Sequence, residues 1–128
     1  MNKISFGYQS FGTIFGTVRD YNTLGDDIGV KNITGYGIFF VVRDRWEQLD
    51  SQIIISKKID SGISITNGSY GKFSITFSSS DLDIPFAEYV YDTFLNPSGT
   101  FWGGTHNLKS IGSGIFEITR GLEYGTKS

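Results

Sequence analysis

The chain has a single histidine, His106, set in Gly103-Gly104-Thr105-His106-Asn107. An imidazole can serve as general base, but nucleophilic catalysis also needs an orienting carboxylate and donors for an oxyanion. No such set is spaced around His106, so an exposed hairpin histidine is expected. Hard oxygen ligands cluster at Asp26-Asp27 and at Asp81-Leu82-Asp83. Calcium takes about six to eight such ligands from a shaped loop, which two short aspartate clusters do not supply. Aspartate also favours turns for its own reasons, so both clusters are expected to be solvated turn residues. There is no cysteine, which excludes disulfides and thiolate metal sites. No glycine-rich phosphate loop with its lysine is present. No catalytic, cofactor or metal site is assigned, and the chain is expected not to be an enzyme.

The aromatic residues are better candidates for function. Trp46 follows Arg43-Asp44-Arg45, and Trp102 stands beside Phe101 in the last hairpin. Such residues anchor protein interfaces, stack on sugars, or fill one end of a core. Arg43 and Arg45 alternate on one face, which suits a charged partner or a solvated edge. At the N-terminus, Phe6-Gly7, Phe11-Gly12 and Phe15-Gly16 repeat at spacings of five and four. One reading is an arm over residues 1–10 that docks its phenylalanines on a neighbour. The other is two strands with glycine bends and core phenylalanines, which the period-2 pattern of residues 13–18 favours.

These residues must be positioned by β structure. A length of 128 residues suits one domain. Aromatics make up 16% of the chain, with 17 glycines and 2 prolines, a composition suited to short strands and tight turns. Net charge is −2 with a pI of about 5.2, and no basic block exists, so no nucleic-acid partner is expected. No apolar run of signal-peptide or membrane length occurs, so no membrane partner is expected, and residues 1–5 read as the start of a soluble protein.

Along the chain, Ile38-Phe39-Phe40-Val41-Val42 is a continuous apolar run that suits a strand covered on both faces, and Ile53-Ile54-Ile55 is a second. Residues 22–31 read as turn and loop. Residues 61–66 alternate and are followed by Asn67-Gly68, the signal for a type I′ hairpin onto residues 70–77. Asn96-Pro97-Ser98-Gly99 is a turn by composition. Residues 108–111 and 115–119 form the last strand region, with Gly112-Ser113-Gly114 as a bulge or bend, and residues 120–128 form a polar tail.

Residues 70–91 are the most informative stretch. Phe73-Ser74-Ile75-Thr76-Phe77 alternates, a Ser/Asp corner with Pro85 interrupts, and Ala87-Glu88-Tyr89-Val90-Tyr91 resumes. The corner serines and aspartates are good N-caps, so one helical turn near residues 79–84 is expected. In immunoglobulin-like domains a tyrosine near the start of strand F bonds its hydroxyl to backbone upstream. Tyr89 stands in that place, and Tyr91 shares its face. The expected fold is an all-β, immunoglobulin-like sandwich of about seven to nine antiparallel strands in one domain, residues 1–128.

The order of motifs resembles a family of small phage and prophage virion proteins, and the N-terminal immunoglobulin-like domain of phage baseplate upper proteins. The resemblance lies in Ile38-Phe39-Phe40-Val41-Val42-Arg43, Gly71-Lys72-Phe73-Ser74-Ile75-Thr76-Phe77, Tyr89-Val90-Tyr91-Asp92 and Gly114-Ile115-Phe116-Glu117-Ile118-Thr119, and covers residues 11–119. The N-terminal phenylalanine-glycine repeats and Phe101-Trp102-Gly103-Gly104 depart from it. The resemblance implies a structural virion part, in tail, baseplate or head decoration, assembled in the host cytoplasm. It would work in many copies through contacts with itself or other phage structural proteins. The contact residues expected are Phe6, Phe11, Phe15, Trp46, Phe101 and Trp102. The alternative is a carbohydrate-binding module using exposed aromatics, with Trp46, Trp102 and tyrosines as the stacking platform.

Overall fold

The computed structural model describes residues 2–21, 23–45, 53–96 and 109–119. Among these residues ten strands form: β1 (Asn2–Gly7), β2 (Gly12–Thr17), β3 (Arg19–Tyr21), β4 (Asp27–Val30), β5 (Gly37–Arg43), β6 (Ile55–Ile59), β7 (Gly62–Asn67), β8 (Lys72–Phe77), β9 (Ala87–Asn96) and β10 (Lys109–Thr119). The chain is all-β. Eight strands make one sheet in the order β1-β10-β9-β5-β6-β7-β8-β2, and β3 pairs with β4 separately. The two ends of the large sheet, β1 and β2, are joined by residues 8–11. The sheet curls almost into a barrel, bringing Phe6 of β1 to 5.2 Å from Phe77 of β8, centroid to centroid.

The core follows from the alternation of the strands. Phe40, Phe77 and Phe116, from β5, β8 and β10, are fully buried. Phe77 meets Phe40 and Phe116 at 5.6 Å each, in edge and tilted geometries that suit ring quadrupoles. Tyr91 stacks on Phe40 at 5.4 Å. Every residue of β5 is buried, as a continuous apolar run requires when both faces are covered.

β6 and β7 are the loosest junction of the sheet. They align over two residue pairs only, across a corner at Asp60 and Ser61. Asp60 takes φ +66° and Gly62 φ +104°, and the corner is closed by Ser61 N–H to Lys58 O at 2.9 Å and Asp60 N–H to Ile63 O at 3.0 Å.

Several expectations change. Two pairings are parallel, β1 with β10 and β6 with β7, because the chain enters β1 alongside the last strand and turns a corner at Asp60. Residues 22–31 are not simply loop: β3 and β4 form a hairpin, tied by the Arg19–Asp27 ion pair and by Gly29 N–H to the Asp27 carboxylate at 2.9 Å. Of Ile53-Ile54-Ile55 only Ile55 lies in a strand, which runs on to Ile59. β7 and β8 do pair, but through one turn of 3-10 helix at Gly68–Tyr70 rather than a two-residue turn. There Asn67 stays extended at φ −154°, and Gly71, at φ +69°, supplies the left-handed residue. A Cβ on Gly71 would sit 2.6 Å from both the Lys31 and Val18 carbonyl oxygens, so only glycine fits.

The single helical turn expected near 79–84 is present as a turn and no more: Leu82 N–H bonds Ser78 O at 3.3 Å and Asp83 N–H bonds Ser80 O at 3.4 Å. Asp81 accepts the Ser78 N–H at 2.8 Å while Ser78 Oγ accepts the Asp81 N–H at 3.2 Å. The two side chains close an isolated turn, and Pro85 follows too soon for a helix to propagate. The bulge or bend expected at Gly112-Ser113-Gly114 is found as a bulge-type register shift between Ser110 and Gly112, within one continuous strand.

Candidate functional site

Residues 2–7 are not a free arm. β1 runs parallel to β10 from Asn2–Gly114 to Gly7–Thr119. Phe6 turns inward and is partly buried, packed on Phe77 and on Phe116 at 5.9 Å at the border of the core. The glycines of the repeat have steric reasons. A Cβ on Gly12 would lie 2.8 Å from the Phe6 ring, and one on Gly16 would lie 2.4 Å from the Phe73 ring. Both rings rest directly on the backbone of β2.

Phe11 and Phe15 do face solvent, at 80% and 78% exposure. Along β2 the inner positions Gly12, Ile14 and Gly16 are half-buried, and Thr13, Phe15 and Thr17 are exposed. β2 ends the sheet, with β8 as its one strand neighbour among the described residues. Val18 N–H bonds Gly71 O at 2.8 Å, and the β2–β8 register runs back from there without a shift. Ladder bonds alternate along an antiparallel pair. Gly16, Ile14 and Gly12 therefore bond β8, and Thr13, Phe15 and Thr17 turn their N–H and C=O groups to the open edge.

Inside this edge lies a cleft of about 290 Å³ between β2 and the far end of the sheet. Ile4, Ile14, Phe73 and Ile111 give it apolar walls, and Thr17, Tyr91 and Thr93 bring hydroxyl-bearing side chains. Among the described residues its lining holds no carboxylate, imidazole or ammonium group. It can take apolar side chains, and its residues offer no general base. A second exposed apolar group, Leu24, Ile28 and Val30, rides on the β3–β4 hairpin.

Tyr89 and Tyr91 are both buried. The Tyr89 hydroxyl donates to Pro85 O at 2.8 Å, the upstream backbone bond expected of the corner. Burial, and then the charge of Asp44, push the Tyr89 hydroxyl above its ordinary pKa. The corner aspartates are not idle in solvent. Asp81 takes the Lys57 ammonium at 2.6 Å, and Asp83 accepts the Tyr8 hydroxyl at 2.6 Å. Partial burial pushes the Asp81 carboxyl up, but Lys57 and the Ser78 N–H and hydroxyl outweigh it, and its pKa falls below the ordinary value. At β1, Lys3 bridges Glu88 and Glu117, each at 3.4 Å. Arg43, expected at a surface edge, is buried at the end of β5, whereas Arg45 is exposed.

Of the six contact residues expected, Phe11 and Phe15 share one exposed edge and Phe6 is partly buried against the core. Trp46, Phe101 and Trp102, with His106 and the turn at residues 97–99, lie outside the described residues, as does the tail 120–128. Among the described residues no group of three or more histidines, aspartates and glutamates is placed to hold a metal ion. None of their helices is long and apolar enough to cross a membrane. The openness of the β2 edge was missed from sequence, although its uncharged Thr-Ile-Phe-Gly-Thr run is a signal for it. Comparison with models of known protein families and with curated proteins returns no match.

Proposed function

We propose that the chain is an immunoglobulin-like β-sandwich acting as a non-enzymatic structural component of a bacteriophage virion, in tail, baseplate or head decoration. The observation that carries this reading is the β2 edge: an uncharged strand with open backbone groups and two exposed phenylalanines, set on a rigid aromatic core. Such an edge is suited to binding by shape and strand pairing. The sandwich reading is supported by the strand order, which divides at the β6–β7 corner into β1-β10-β9-β5-β6 and β7-β8-β2. It is also supported by the Tyr89–Pro85 bond, which matches the tyrosine corner of such domains. The virion role rests on the motif order along residues 11–119. In a symmetric particle many weak contacts would add to a stable assembly.

The test is whether the chain is built into particles. Particles purified from a lysate of the cell that carries this gene should contain it at a fixed ratio to other structural proteins. Variants Phe11→Ser and Phe15→Ser, exposed and so expected to fold, should enter particles less well. A chain that stays in the soluble lysate, or that binds a glycan array through Trp102, contradicts the proposal.

A further inference from the structure

We infer that β2 pairs edge to edge with β2 of a second copy, antiparallel, about a two-fold axis through Phe15. The inference deepens the proposed function only in naming the partner; the pairing itself does not depend on a virion. Thr13, Phe15 and Thr17 carry the outward backbone groups, in phase with the Val18–Gly71 bond. The sequence Thr13-Ile14-Phe15-Gly16-Thr17 is self-complementary about its centre. A two-fold axis there sets Phe15 against Phe15 of the other copy, Thr13 against its Thr17, and Ile14 against its Gly16. Residues opposite one another in an antiparallel pair point to the same face. The aromatic pair and the threonine pairs therefore lie on the outer face, and each Ile14 lies over the glycine of the other copy on the cleft side.

Charge separates this edge from the other end of the sheet. β1 carries Lys3, held by Glu88 and Glu117, and a lysine on an edge strand discourages strand addition. β2 has no charge, no proline and no register shift along β8, so nothing along it repels an identical strand. An isologous contact needs this self-matching of one patch. A single strand pair buries little surface, so dimerisation should depend on concentration.

Sedimentation velocity on the full chain tests the inference across a wide range of concentration. The mass should rise from 14.2 kDa toward twice that value. Phe15→Lys, which sets two like charges face to face, should weaken dimerisation roughly tenfold while leaving the melting temperature near that of the parent. The chain has no native cysteine, so Phe15→Cys can be joined by a short bis-maleimide. It should give a covalent dimer, and Ser64→Cys, exposed on β7, should not. A constant mass of 14.2 kDa, or equal cross-linking of the two cysteine variants, overturns the inference. The first result would show no self-association, and the second would assign association to another surface. Neither result bears on whether the chain enters particles.

Discussion

Tyr89 and Asp81 hold the corner between β8 and β9 by different means. Tyr89→Phe removes only the hydroxyl bonded to Pro85, so it should cost about 0.5–1.5 kcal/mol. Urea unfolding should show a lower midpoint with an unchanged slope. Asp81→Asn should cost more, roughly 1–3 kcal/mol, because it leaves the largely buried Lys57 ammonium without its carboxylate. The pH dependence follows from the sign of the shift. The folded pKa of Asp81 is depressed, so its contribution is complete above the unfolded carboxylate value of about 4 and is lost as pH falls through the folded value. Stability measured from neutral pH downward should therefore fall less steeply in Asp81→Asn than in the parent. Tyr89 could be placed from sequence because the corner has a local pattern. The Asp81–Lys57 pair could not, since its partners are brought together only when the β6–β7 corner lays Lys57 across Gly62, where a Cβ would lie 2.4 Å from the lysine stem.

At the scale of elements, the strands with period-2 or continuous apolar patterns were legible: β2, β5, β7, β8, β9 and β10 lie where alternation puts them. Elements set by nonlocal contact were not. β1 has its partner at the far end of the chain, and β3–β4 is a short hairpin without apolar periodicity, crossed by an exposed Arg19–Asp27 pair. The Asn67-Gly68 signal was overridden because Gly71 must pass close to the Val18 and Lys31 carbonyls, which shifts the left-handed residue along the loop. The glycines of β2 and β10 divide in the same way. Gly16→Ala should cost about 1–3 kcal/mol, since the added carbon meets the Phe73 ring at 2.4 Å between well-packed strands. Gly112→Ala should change stability by no more than about 0.5 kcal/mol, because nothing lies within 4 Å of its Cβ position. Thermal or urea unfolding of the two variants side by side checks that the repeat serves packing of rings on β2.

At the scale of the molecule, the aromatic core and the open edge serve separate ends. Phe40, Phe77 and Phe116 fix the scaffold, and β2 with Phe11 and Phe15 offers a surface on one border of it. Among the described residues β2 is the uncharged edge of the sheet, and strand addition there is what the proposed assembly would use. The most direct measurement is the copy number of the chain in purified particles, by quantitative mass spectrometry against other structural proteins. The account predicts several copies per particle in a constant ratio, with a reduced ratio for Phe15→Ser. Absence of the chain from particles, with all of it recovered in the soluble fraction, would contradict it.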